Sequence, residues 1–298
     1  MTPLVIDTDV ALGVHHEGRP RDIDDGFAMV EAINARDLDL LGITTVYGNA
    51  PHEAVRRVAR KIVALKKSNT PVTAGAIEPL AQSGDLPPPN DAVDYLADTL
   101  RRGKINIAAI GPLTNIAMLV HHAPDVLGNL EQLVVVAGRS QNAQFTIGDE
   151  GPVGDFNFEN DVRAARLVME SGVPIVLAGF ELTSQVCVTE QDLETIKSRD
   201  TRASDYFFEN SAAWCRYWTD TFPADAGFHP WDSATIAWLR HPEYFVHEQR
   251  GWRIIDADPK HATLECDTRY SGTPVTYCTG FTPGGAAAFV RDVVETVY

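Results

Sequence analysis

The stretch LVIDTDVALGVHHEGRPRDIDDGFAMV, residues 4–30, holds the densest group of residues able to do chemistry. An apolar run ends in Asp7-Thr8-Asp9, and Asp22-Ile23-Asp24-Asp25 follows after a segment that carries Arg19 and Arg21. Any one of these carboxylates could cap a helix, accepting backbone N–H bonds in the positive field of its first turn. Asp22 or Asp24 is so placed for a helix beginning near Gly26. The set as a whole needs more. Carboxylates that converge without countercharge repel one another, which raises their pKa values and costs stability. A hard divalent cation removes that conflict, and a donor set made only of oxygen suits Ca²⁺ or Mg²⁺ rather than zinc. Because Ca²⁺ takes roughly 6–8 oxygens, it could hold a water and substrate hydroxyls as well.

The elements that must position these acids can be read from the alternation of short apolar runs with helical patterns. LVID (4–7), LLGITTVY (40–47), PVTA (71–74), INIAAI (105–110), LVVVAG (133–138) and PIVLAG (174–179) read as buried strands. DGFAMVEAIN, HEAVRRVARKIVALKK, NDAVDYLADTLRR, LTNIAMLVHH and NDVRAARLVMES read as the helices between them. The expected fold is α/β, an open and mostly parallel, Rossmann-like sheet with helices on both faces, in one domain over residues 1–298. Alternating segments between Trp252 and Thr282 predict further strands, and a terminal helix follows Pro283. Ligands of such sheets bind beyond the carboxyl ends of the strands. Asp7, Asp9, Gly48-Asn49 and Gly111-Pro112-Leu113-Thr114-Asn115 should therefore share one edge with Gly138-Arg139-Ser140 and Glu181-Leu182-Thr183.

Composition narrows the function. The formal charge of −16 disfavours nucleic acid and acidic membrane as partners, since phosphate and anionic lipid would be repelled. Cys187, Cys215, Cys266 and Cys278 have no CxxC spacing, so neither a zinc site nor a disulfide framework is expected. They read as reduced thiols of a cytoplasmic protein. No apolar run is long enough to span a bilayer, and no secretory signal pattern opens the chain.

Taken alone, VIDTDV also suits the nucleophile strand of haloacid dehalogenase-like phosphatases. That alternative requires a later Ser/Thr, a Lys and an acidic pair at successive strand ends. Here the acidic pair comes almost at once, and no Lys closes a later apolar strand.

Five stretches resemble the inosine-uridine preferring nucleoside hydrolase family: VIDTDV with DIDDGFA, GITTVYGNA, AIGPLTNIA, DFNFENDVRAARLVMESGVPIVLAGFELT, and WDSATIA. The resemblance implies calcium-dependent hydrolysis of the N-glycosidic bond of ribonucleosides, giving ribose and free base. It implies a Ca²⁺ ion at the bottom of the pocket that holds the attacking water and the 2′- and 3′-hydroxyls. By motif, its ligands would be Asp9, Asp25, Asp232 and the main-chain carbonyl of Ile110, with Asp9 also the general base. Asp24 and Asn157 would bind ribose hydroxyls, Asn49 would lie close by, and Asp7 would support the loop from behind. A homo-oligomer, dimer or tetramer, is implied too.

The chain departs from the family pattern in three places. Val10 to Ile23 separates acid clusters that usually lie close together, and His15, His16 and Glu17 at the tip of this insert are expected to be a solvated loop. At the sugar's 5′ end, GDEGPVGDFN puts Asp149 where the family has Asn and Asp155 where it has Glu. That acidic pair should repel a 5′-phosphate, favouring nucleosides over nucleotides. Trp231 stands where many members carry a leaving-group His, with His229 two residues away. Its ring could stack on a nucleobase or serve packing alone. Phe207, Trp214, Tyr217 and Trp218 share one helical face, expected to be mostly core with some rings bordering the base pocket. The altered leaving-group side leaves a non-catalytic, riboside-binding relative as the alternative from another functional class.

Overall fold

The computed structural model describes residues 1–144, 154–258 and 261–297. Strand β1 (Thr2–Thr8) comes first, followed by a small ribbon of β2 (His15–His16) and β3 (Arg19–Pro20), then by the helix Asp24–Asn34. Strands β4 (Leu38–Thr45), β5 (Val72–Ala74), β6 (Ile105–Ala109), β7 (Leu130–Val135), β8 (Arg139–Ser140) and β9 (Ile175–Ala178) come next. A second ribbon pairs β10 (Val188–Thr189) with β11 (Gly227–Phe228), on either side of the helix Arg202–Thr221. The chain closes with β12 (Phe245–Asp258), β13 (His261–Asp267), β14 (Val275–Phe281) and the helix Gly285–Glu295.

Ten strands form one sheet in the order β5-β4-β1-β6-β7-β9-β14-β12-β13-β8. From β5 through β14 every pairing is parallel, and β12 adds antiparallel pairings with β14 and β13. The expected open, mostly parallel sheet is therefore present, and its strands and helices fall where the apolar runs and periodic segments predict them.

Side-chain alternation explains why both faces carry helices. In β1, Leu4 and Ile6 belong to one apolar cluster and Val5 to another. In β6, Ala108 joins the first cluster while Ile105, Ile107 and Ala109 join the second. Neighbouring residues of a strand point to opposite faces, so these central strands are buried on both sides and read as continuous apolar runs. Phe27, from the helix after the second acid cluster, packs edge-on against Phe207 at 5.2 Å between centroids. That contact ties the amino-terminal acids to the helix Arg202–Thr221.

The insert Val10–Ile23 is built rather than loose. Val10, Ala11, Leu12 and Ile23 are buried, and Val14 and Arg21 close its base through the Arg21 N–H to Val14 carbonyl bond of 2.9 Å. Its tip turns through Glu17 and Gly18, both left-handed at φ 53° and 77°, the conformation a two-residue hairpin loop requires. His15 and Glu17 are exposed, as expected for a solvated tip. The returning strand, however, does not face bulk solvent alone, as described below. Capping by the acids is not borne out: the helix starts at Asp24, its cap position is Ile23, and no side chain caps it. Asp22 instead accepts the Ile23 N–H at 2.7 Å.

Asp161 shows how the fold braces the binding edge. Its Oδ1 accepts the Ala164 N–H at 2.9 Å, capping the helix Val162–Glu170. Its Oδ2 accepts Leu80 N–H at 2.9 Å and Thr114 Oγ1 at 2.7 Å. Replacing Asp161 by Ala removes a cap and orphans buried donors, so the expected loss is about 3 kcal/mol. Urea unfolding will show it as a lower midpoint at unchanged slope; a midpoint like that of the wild type would mean Asp161 braces nothing.

Candidate active site

A cavity of about 670 Å³ opens over the carboxyl ends of β6, β7 and β9, and Asp9 and Asp25 lie outside its lining. This is the edge where a parallel sheet presents its strand-end residues to a ligand. Asp24, Asn49, Ile110, Asp155, Asn157, Trp231 and Asp232 all line it, so most of the residues singled out from the sequence converge. Asp149 lies outside the described residues.

The floor is acidic. Carboxylate oxygens of Asp24, Asp25 and Asp232 lie within 4.8 Å of one another, and all three side chains are buried. Asp24 Oδ2 accepts the Asp232 N–H at 3.1 Å, which joins the first helix to the loop before Ser233–Arg240. Asp25 is held from below by the Thr8 hydroxyl at 2.5 Å. Asp9 is fully buried, and its Oδ2 accepts the Asn49 N–H at 2.7 Å. Gly48 and Gly111 make room for it: a Cβ on Gly48 would strike the Asp9 carboxylate, and one on Gly111 would come within 3.2 Å of Asp9 Oδ1. Asn157 donates to the Ile110 carbonyl at 3.1 Å. Asp7 sits beneath, receiving Thr44 Oγ1 at 2.6 Å and Asn115 Nδ2 at 2.8 Å.

Electrostatics make this cluster costly as protein alone. Burial, followed by the charges of Asp25 and Asp24, pushes Asp9 well above the usual carboxylate range. Burial and the charges of Asp24, Asp25 and Asp9 do the same to Asp232. Asp25 is pushed to about 7, chiefly by burial and then by Asp24, and Asp24 is raised by burial. Asp7 also reaches about 7 through burial, which its two hydrogen bonds only partly offset. Asp9 Oδ1 and Asp25 Oδ2 have no hydrogen-bond partner among the described residues. Buried acceptors without donors call for a ligand that is itself positive. Oxygen-only donors, unfilled lone pairs and mutual repulsion together fit a hard divalent cation.

Residues 4–284 match the family model described as inosine-uridine preferring nucleoside hydrolase. The chain belongs to that family. It is a hydrolase of N-glycosyl bonds, its substrates are nucleosides, and the phosphatase alternative falls. Among related sequences, Schizosaccharomyces pombe protein C1683.06c is 32% identical over 252 residues, covering 74% of this chain and 78% of its own length. The pyrimidine-specific ribonucleoside hydrolase RihA of Citrobacter koseri is 30% identical over 262 residues, covering 80% and 82%. In fold, the purine-preferring ribonucleoside hydrolase from Gardnerella vaginalis superposes with a TM-score of 0.84 at 20% identity, over 99% of this chain and 98% of that one. The plant nucleoside hydrolase PpNRh1 gives 0.81 at 21% identity, over 98% of each.

Within this hydrolase, two walls rise from the acidic floor. On one side Asp155 accepts the Gly138 N–H at 2.8 Å, and burial lifts its carboxyl to about 6. On the other stand the rings of Trp214, Tyr217, Trp218, Phe222 and Trp231. Trp218 meets Trp231 edge-on at 5.3 Å, and Trp214 stacks on Tyr217 at 5.5 Å. Trp231 lines the cavity and also packs against the hydrophobic core. His229 is turned away, its ring nitrogens meeting the Val186 carbonyl at 2.6 Å and Asp225 at 3.3 Å. His15, His16 and Glu17 do not line the cavity, but Arg19 and Arg21 of the insert do.

Sequence reading missed Thr8 and Asn115, which anchor Asp25 and Asp7, and both arginines. Thr8 sits between the two predicted acids and Asn115 closes AIGPLTNIA, so adjacency was the available signal. If Asp9 is held for a cation, Gly48→Ala will turn its carboxylate and weaken divalent-cation affinity by roughly tenfold or more, a loss of at least about 1.4 kcal/mol. Thermal-shift titration measures this, and wild-type affinity in the variant would contradict it.

Proposed function

We propose that the chain hydrolyses ribonucleosides to ribose and free base with calcium as its resident cation and Asp9 as the general base. One observation carries the reading: a cavity lined by Asp24 and Asp232, whose carboxylates cluster with that of buried Asp25 within 4.8 Å. Asp9, Asp25, Asp232 and the Ile110 carbonyl would hold the ion, and Asp7 would fix the loop beneath. When bound, calcium would supply Lewis-acid activation of a water and anchorage for a vicinal diol.

The residues of the chain do the rest. Asp24 and Asn157 receive the 2′- and 3′-hydroxyls, with Asn49 beside them, and so orient C1′ over Asp9. Asp9 takes the proton of the attacking water as the bond from C1′ to the base breaks. The carboxylates of the floor favour the positive charge that develops on the sugar. Trp231 offers a flat face to the base. Asp155, together with Asp149, disfavours a 5′-phosphate, so nucleosides are preferred to nucleotides. We extend the proposal to a single catalytic domain over residues 1–298 and a homo-oligomer, dimer or tetramer, with sedimentation velocity as its test.

Pyrimidine ribonucleosides are the first substrates to try, because RihA, at about 30% identity, is named as pyrimidine-specific. The assay is ribose release from a panel of purine and pyrimidine ribonucleosides. EDTA should stop release and added Ca²⁺ should restore it. Release that persists in EDTA would overturn the metal reading. Asp9→Asn and Asp9→Ala should each lower kcat by about 10²–10⁴, the usual worth of general-base assistance. A kcat near the wild-type value in either would remove Asp9 from the role.

A further inference from the structure

The insert between the two acid clusters places two cations at the cavity. Arg19 and Arg21 line it, and no Lys, His or Cys does so among the described residues. Arg19 is exposed at the mouth, where its Nη1 donates to the Tyr217 hydroxyl at 3.3 Å. That bond sets the guanidinium beside Tyr217 of the aromatic wall. Arg21 is buried behind it, paired with Glu17 at 2.5 Å, and its Nε has no hydrogen-bond partner among the described residues. Asp22, the nearest acid in sequence, spends one oxygen on the Ile23 N–H and turns toward Asp24 at the floor. Arg19 thus brings a guanidinium to the aromatic wall, while the charge of Arg21 is met by Glu17.

Arginine keeps its proton at any pH the protein will meet, so it serves as a charge and a fork of donors rather than as a general acid. We propose that Arg19 stabilises the departing base as an anion, and thereby selects bases whose charge comes to rest on a carbonyl oxygen. The inference rests on the hydrolase reading above. As the C1′–N bond breaks, its electron pair goes to the base and spreads through the ring onto its exocyclic carbonyl oxygens. Water oxygen forms the new bond to C1′, one water proton passes to Asp9, and solvent later protonates the released base. Arg19 gives no proton; its N–H groups donate to the oxygen on which charge accumulates. Bases that present an amino group at that edge would meet donor with donor and gain less.

The test compares wild type, Arg19→Ala and Arg19→Lys on uridine, inosine, cytidine, adenosine and p-nitrophenyl β-D-riboside. Nitrophenolate leaves with little help, so that riboside reports the sugar half of the reaction. Arg19→Ala should lower kcat on uridine or inosine by about 10- to 100-fold, the worth of one charge-assisted hydrogen bond. The loss should be at least about tenfold smaller on the nitrophenyl riboside and on adenosine, whose base has no carbonyl oxygen, with Arg19→Lys recovering part of it. Equal losses on every substrate, or none, would overturn the inference. Tyr217→Phe separates charge from proton transfer: a loss matching Arg19→Ala, with the alkaline limb of the pH–rate profile gone, would make Tyr217 the donor and the inference wrong. Wild-type enzyme inactive on all five would sink the hydrolase reading itself, and this inference with it.

Discussion

Like charges forced together in a dry place are the constraint on which the rest of this structure depends. Asp9, Asp24, Asp25 and Asp232 converge on one small volume, and burial alone would keep them from ionising together. A fold that wanted only stability would replace them. This one invests its neighbourhood in keeping them: Thr8 holds Asp25, the Asn49 N–H holds Asp9, and Gly48 and Gly111 leave space for Asp9. Such a cluster can seat a divalent cation, which turns mutual repulsion into shared attraction.

The parallel sheet supplies the geometry. Strand β1 delivers Asp7 and Asp9, β6 delivers the Ile110 carbonyl, and the loop before Ser233–Arg240 brings Asp232 from far along the chain. Because β1 is paired on both sides, with β4 and β6, the carboxylates at its end have a rigid base. The helix Arg202–Thr221 then raises an aromatic wall to one side, braced through Phe207 against Phe27. The acids of the floor and the rings of the helix Arg202–Thr221 are thus carried by different elements, which lets those rings vary without disturbing the acids.

Much of this was legible in the sequence, and the reasons differ by residue. Strand runs such as INIAAI are doubly buried and carry their own signature, and the acids stand out because carboxylates at the ends of buried strands have few structural uses. What could not be read was orientation. The sequence places His15, His16, Arg19 and Arg21 together, but only the register of a two-residue hairpin decides which of them meet the cavity. His229 illustrates the same limit, since its proximity to Trp231 in sequence says nothing of its bonds to Val186 and Asp225. Asp24 was open to a capping role that its contact with Asp232, 208 positions away, supersedes.

Calcium titration by isothermal calorimetry into protein stripped with EDTA tests the central claim most directly. Carboxyls held protonated by burial and repulsion must give up protons when the cation arrives. The account predicts one ion per chain, with a heat that changes with the ionisation enthalpy of the buffer, and loss of both in Asp232→Asn. No binding, or binding that releases no protons and is indifferent to Asp232→Asn, would contradict it.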